Sequence, residues 1–243
     1  MQTKLPLLVS FSVVFLLAGC DSMSSNQKLD QKTVVERIQK EADELKSISE
    51  KLTLSIENQL PGLQNKMDQD FESVYVYGQE GTITHIHTKQ KNKQNGQEQT
   101  IEFYKTPKEA YLFDGQAWQK HTGDENYNST YKPVLDSLIE AADSMQMTEE
   151  EDRYVFDFAG KDAKVYEAVQ PIFQINFNQA DTSDLDLLVS FDVLKESMTL
   201  GHVTIEATNE PSPNQFSKIQ GKMDFADVDQ TKTIEIPAEV TNN

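Results

Sequence analysis

The strongest constraint on the fold is a change of period near residue 49. Before it, Val34, Val35, Ile38, Ala42 and Leu45 recur at spacings of three and four, with Glu36, Lys40, Glu41 and Glu44 facing away. That is a helix with one apolar stripe, and Thr33 followed by Glu36 has the form of a capping box at its start. After it, Leu52, Leu54 and Ile56 alternate with Lys51, Thr53, Ser55 and Glu57, the two-residue repeat of a strand with one buried face. A helix continued to Ile56 is the competing reading, because Ile38, Leu45 and Leu52 also keep a heptad. Pro61-Gly62 ends either version.

The rest of the chain is a run of short, turn-bounded segments. Residues 71–77 are aromatic and β-branched, Gly78 and Gly81 bracket a turn, and residues 82–88 alternate around Ile83 and Ile86. Residues 89–99 are expected to form a polar hairpin loop centred on Asn95-Gly96. Strands are then expected at 100–105, 110–113 and 117–121, the last around the only Trp, with an Asp114-Gly115 turn before it. Helical spacing returns over residues 131–145, with Val134, Leu135, Leu138, Ile139 and Ala142 on one side. An acidic stretch, 149–152, separates this helix from a strand in which Tyr154, Phe156 and Phe158 share a face. A second short helix over 161–170, bearing Val165 and Val169, precedes a closing meander of strands at 185–194, 201–208, 217–225 and 233–236. No solenoid or propeller repeat is visible. The order helix, strands, helix, strands predicts an α+β protein built on one antiparallel sheet.

Charge and cysteine content remove several functions. The 243 residues carry 40 acidic and 22 basic side chains, net −18, and only Arg37 and Arg153 are arginines. Phosphate-gripping guanidinium forks are nearly absent, so no nucleic-acid partner is expected. One cysteine excludes an internal disulfide, a cysteine zinc site and a Cys-x-x-Cys redox motif.

That cysteine sits in an informative place. After Lys4, an apolar run reaches from Leu5 to Leu17, about 20 Å of helix against a hydrocarbon core of about 30 Å, which suits an export signal and not a stable span. The run ends in Leu17-Ala18-Gly19-Cys20, which resembles the lipobox of bacterial lipoproteins. The resemblance implies a signal peptide over 1–19, acyl chains on Cys20, a lipidated flexible tether over 20–32 and a single domain over 33–243. Loss of Lys4 with the signal leaves 21 basic against 40 acidic side chains, net −19. Such a chain is repelled by anionic headgroups, so acyl chains, at about 0.8 kcal/mol per buried CH₂, must hold it at the extracytoplasmic face of the cell membrane. Whether Asp21 affects sorting is left open.

Several stretches together resemble a family. They are the lipobox, the helix running into a strand near Gln59, Ile101-Glu102-Phe103-Tyr104, Ala110-Tyr111-Leu112, Gly115-Gln116-Ala117-Trp118-Gln119-Lys120, the middle helix, and the terminal Ile234-Glu235-Ile236-Pro237-Ala238-Glu239-Val240. They resemble an uncharacterised family of Gram-positive lipoproteins similar to the LolA and LppX type of lipoprotein carrier. The resemblance implies a strongly curved antiparallel sheet, an open half-barrel, covered by a few helices, with a space between them for acyl chains or other apolar molecules. Candidates for a ligand-lining concave face are Tyr111, Trp118, Leu135, Leu138, Ile139, Tyr154, Phe156 and Phe158, with ordinary core packing as the alternative role. A chain that carries its own anchor cannot diffuse as a carrier does, so binding or presenting a ligand at the membrane is the expected function.

The remaining constellations are weak. His85-x-His87 puts two imidazoles on one strand face, but only His121 and His202 are left to complete a metal site, and an exposed strand face is expected instead. Asp124-x-Asn126-x-Asn128 begins like a calcium loop, then has Ser129 where Gly belongs and Leu135 where a bidentate Glu belongs. Asp181, Asp184 and Asp186, and Asp224, Asp227 and Asp229, are expected to be solvated turns. No nucleophile elbow, zinc-protease helix or phosphate loop is present in the sequence. The expectation is a monomer without catalysis, metal or cofactor. The alternative is a structural or protein-interaction module of the cell envelope. Residues 12–19, SVVFLLAG, also resemble the octapeptide pheromones released from some lipoprotein signals.

Overall fold

The computed structural model describes residues 28–122, 130–173, 182–212 and 215–241. The signal segment with its SVVFLLAG octapeptide, Cys20, Asp21, Asp124, Asn126, Asn128, Ser129 and Asp181 lie outside the described residues.

Helix α1 (Gln31–Glu44) buries Val34, Ile38 and Ala42, as the three-and-four spacing predicts. It starts three residues earlier than a Thr33 cap implies. Asp30, not Thr33, is the N-cap: its carboxylate accepts from the Thr33 backbone N–H at 2.7 Å, placing an anion against unpaired amides at the positive end of the helix. Leu29 already packs on the core, four residues before the expected start of the domain at residue 33. The long-helix alternative does not form. Strand β1 (Ser47–Leu60) begins after two residues and buries Ile48, Glu50, Leu52 and Leu54 on one side.

The chain continues through β2 (Leu63–Tyr77), β3 (Ile83–Gln94), β4 (Gln97–Lys105), β5 (Ala110–Phe113) and β6 (Trp118–His121). Then come α2 (Tyr131–Ala142), β7 (Gln146–Glu149), β8 (Arg153–Gly160), α3 (Ala163–Phe173), β9 (Asp186–Leu194), β10 (Thr199–Ser212), β11 (Gln215–Ala226) and α4 (Ala238–Thr241). All eleven described strands form one antiparallel sheet, ordered β6-β5-β4-β3-β2-β1-β11-β10-β9-β8-β7, whose two edges do not meet. The protein is thus α+β, an open half-barrel with few helices. In a flat sheet, β3 and β8 would lie roughly 29 Å apart. Yet Ile86 of β3 and Phe156 of β8 belong to one continuous apolar core with the helices, which is where the accumulated right-handed twist brings them.

Three local expectations are corrected. The supposed loop at 89–99 is ladder: β3 and β4 pair out to Gln94 opposite Gln97. Asn95 (φ 50°) and Gly96 (φ 81°) both take the left-handed conformation that a two-residue hairpin turn needs, so no longer loop is required. The segment 146–149, partly read as an acidic spacer, is the edge strand β7, paired to β8. No strand forms at 233–236. The segment leaves β11 beside β1, which is already paired on both sides, so no ladder position is open there. It crosses the sheet face instead. Asp229 Oδ1 accepts from the Lys46 and Ser47 amides at 2.7 and 3.2 Å, the Thr231 N–H donates to Ser47 Oγ at 3.0 Å, and Val240 is buried.

The helices cover the inner face of the sheet. The core combines Val34 and Ile38 of α1, Val134 and Leu138 of α2, and Val165 and Ile172 of α3 with strand residues Ile48, Leu187, Val203 and Met223. The end of α3 approaches β11 so closely that Gly221 leaves space for the Phe173 ring and none for a Cβ. Gly221→Ala is therefore expected to destabilise the protein by about 1–3 kcal/mol, the usual range for overpacking. Chemical denaturation checks this, and Phe173→Leu in the same chain should recover part of the loss.

Candidate functional site

The structure separates the eight candidate ligand-lining residues. Leu135 and Leu138 of α2 and Tyr154 and Phe156 of β8 are fully buried, and Phe156 stacks on Phe191 with ring centres 4.4 Å apart. Ile139 and Phe158 are half-buried at the margin of the same core. These six come together as packed core. Tyr111 and Trp118 do not join them: Tyr111 pairs with Tyr104, and Trp118 with Phe113, on the outer face. There Trp118 lies 5.7 Å from Tyr104 and 5.4 Å from Phe113, and Tyr104 stacks on His87 at 4.2 Å. In a four-residue strand, alternation separates two faces but does not say which is inner. Leu112, opposite Phe103 of the core, takes that place.

Beyond the packed core, the inner face continues as a strip that periodicity alone did not pick out. Register puts Ile56, Met67 and Gln94 in one row, Gln69 and Asn92 in the next, and Phe71, Gln90 and Ile101 in a third. All of these except Gln94 are half-buried. Gln69 Nε2 and Gln90 Nε2 both donate to Asn92 Oδ1, at 3.0 and 2.7 Å. The strip therefore presents apolar side chains interleaved with a fixed row of amides, a surface suited to an amphipathic molecule. A signal for it was present: Lys89, Lys91 and Lys93 alternate with Gln90, Asn92 and Gln94, the two-residue repeat of a strand whose inner face is neutral.

A buried acid lies deeper on this face. Glu50 of β1 is 3% exposed and sits in register between Ser73 of β2 and Phe225 of β11. Its Oε2 and the Tyr77 hydroxyl are buried with no hydrogen-bond partner among the described residues. Burial pushes the Glu50 carboxyl up to about 8, so it is protonated at neutral pH. Burial, and next the Glu50 charge, hold the Tyr75 and Tyr77 hydroxyls well above their ordinary range. Tyr131 is satisfied, its oxygen accepting from the Leu200 N–H at 3.0 Å.

The outer face carries saturated pairs. Asp192 accepts from Arg153 Nη1 at 2.9 Å and the His202 backbone N–H at 3.1 Å, and its Oδ2 lies 2.9 Å from His202 Nδ1. His85 and His87 share this face as expected, and His87 Nε2 lies 2.8 Å from Glu102 Oε1. Burial, then Glu102, push the Tyr104 hydroxyl up to about 12. A hollow of about 390 Å³ opens beside Asp157, Phe158, Leu188 and Ser190. Among the described residues no group of three or more His, Cys, Asp or Glu is placed to hold a metal ion, and no described helix is long and apolar enough to cross a membrane.

Glu50 makes stability depend on pH with a defined sign. Its folded pKa of about 8 lies above the ordinary 4.5, so between those values the folded state holds a proton that the unfolded state has lost. Its contribution is complete below pH 4.5 and is lost as pH rises to 8, at about 1.4 kcal/mol per pH unit. Glu50→Gln should remove that slope, and denaturation midpoints of both proteins between pH 5 and 9 test it.

Among solved structures, one similar chain is a DUF1329 family protein from Desulfovibrio piger ATCC 29098, 9% identical over 81% of this chain and 90% of that one. The TM-score is 0.24, too loose to bear on function. No curated protein matches the sequence. A family model does match, over residues 30–243, nearly the whole described chain. The protein belongs to the family described as "Family of unknown function (DUF6612)".

Proposed function

We propose that the protein is a lipoprotein, anchored through acyl chains on Cys20 at the extracytoplasmic face of the cell membrane, which binds a hydrophobic or amphipathic, lipid-like molecule and catalyses no reaction. The observation that carries the reading is the inner-face strip of Ile56, Met67, Phe71 and Ile101 around the Gln69–Asn92–Gln90 amide row. Apolar side chains with a few oriented polar groups are what lipid-like ligands require. The binding surface is this strip and the half-buried margin at Ile139 and Phe158, while Leu135, Leu138, Tyr154 and Phe156 support it from the core. The Leu17-Ala18-Gly19-Cys20 sequence supports the anchor, and two or more acyl chains suffice to hold a protein at a bilayer.

A second reading, an interaction module of the envelope, is favoured by the outer-face rings of His87, Tyr104, Phe113 and Trp118. Aromatic clusters of this kind are common at the centres of protein interfaces.

Two measurements test the first reading. Cys20→Ala should move the protein from the membrane fraction to the soluble fraction or leave it with its signal uncleaved, as fractionation and intact mass will show. Native mass spectrometry of the protein from its own host should show a lipid-sized adduct beyond the covalent anchor. A clean apo mass, with no thermal shift across a lipid panel, would exclude ligand binding and favour the interaction module.

A further inference from the structure

The described residues expose three large apolar side chains, and two of them sit on one turn. Leu60 is 43% and Leu63 61% exposed, at the tip of the β1–β2 hairpin, while the third, Leu188 at 51%, lies on the outer face of β9. β2 pairs with β1 out to Leu63 opposite Leu60, but with β3 only from Met67 opposite Gln94, so residues 63–66 extend about 13 Å beyond the end of β3. β1 is paired with β11 up to Gln59 opposite Phe216, so the tip stands free of the sheet on its β2 side. The turn is tight, with Gly62 at φ 81°.

The chemistry of the tip differs from the rest of the surface. Residues 58–65 read Asn-Gln-Leu-Pro-Gly-Leu-Gln-Asn, without a charge, in a chain that is 26% charged and strongly acidic. Removing water from charged side chains costs more than removing it from the leucines and amides of this tip. It is therefore a place where a polyanion can meet an anionic lipid surface without repulsion. Leu29 packs on the core, and the eight residues between it and Cys20 span roughly 30 Å at full extension, so an anchor at Cys20 holds the domain within that distance of the bilayer.

From the exposed, charge-free tip, free of the sheet on its β2 side, and the short tether, we infer that Leu60 and Leu63 dock into the bilayer to which the chain is anchored. The anchor holds one point of the protein at the membrane and the hairpin a second. Its docking turns the end of the half-barrel that bears Ile56, Met67 and Gln94 toward the lipid, so that a ligand passes between bilayer and inner face without crossing water. The inference rests on the membrane-anchored reading and is separable from ligand binding.

The test uses the full lipidated chain in vesicles of phosphatidylglycerol and phosphatidylethanolamine, with flotation confirming attachment. Leu63→Cys introduces a thiol distinct from the blocked Cys20 and takes an environment-sensitive dye; Leu188→Cys is the exposed control. The Leu63 label is expected to be quenched at least threefold more strongly than the Leu188 label by bromine-bearing acyl chains, and correspondingly less by aqueous iodide. Floated protein in which both labels respond to iodide alike and neither to bromolipid overturns the docking and leaves the anchor standing. Protein that does not float overturns the anchor, and the docking with it.

Discussion

The pairing of β1 with β11 is the constraint on which the rest of the structure depends. Every other ladder joins strands that follow one another along the chain, with α3 intervening only between β8 and β9. The β1–β11 seam instead joins Ser49 to Ala226 and Gln59 to Phe216, uniting an N-terminal arm of six strands with a C-terminal arm of five. Only the joined sheet offers an inner face broad enough for three short helices to share one core. Leu52 opposite Met223, and Leu54 opposite the Gly221 that admits Phe173, show the seam and the helix packing fitting one another. Pairings of such sequence separation are slow to form because loop entropy is lost before contacts compensate it.

The seam also explains why an acid is tolerated in the core. Glu50 lies on it, between Ser73 and Phe225, where its backbone is fixed by both ladders. The carboxyl remains neutral instead of paired, which is the cheaper state for an isolated acid away from water. The C-terminal segment continues from the same seam. Having no free strand to pair with, it is tied to Ser47 and crosses the outer face, and the Glu239 charge reaches Tyr104.

Much of this was legible from spacing alone. The change of period near Ser49, the turn at Asn95-Gly96 and the shared face of Tyr154, Phe156 and Phe158 each follow from local geometry; the structure keeps all three, with the change itself slightly earlier, between Glu44 and Ser47. What local pattern does not contain is which face turns inward. Tyr111 and Trp118 alternate as well as Leu112 does, and only the pairing of Leu112 with Phe103 decides between them. The terminal Ile234-Glu235-Ile236 alternates like a strand, yet the seam leaves it no edge. The amide strip lies in a polar stretch whose composition and Asn95-Gly96 centre resemble those of a loop, although Lys89, Lys91 and Lys93 keep strand period.

Packed core, amide-lined strip and hairpin tip form a graded inner surface, from buried at the helices to exposed at the tip. We propose that a lipid-like molecule occupies the strip. Photocrosslinking with a diazirine-bearing fatty acid, followed by peptide mapping, reads this out. Adducts are expected on inner-face side chains of β2 to β4, chiefly at Met67, Phe71 and Ile101, competed by unlabelled lipid. Adducts confined to the outer face around Tyr104 and Trp118, or spread evenly and not competed, would contradict it.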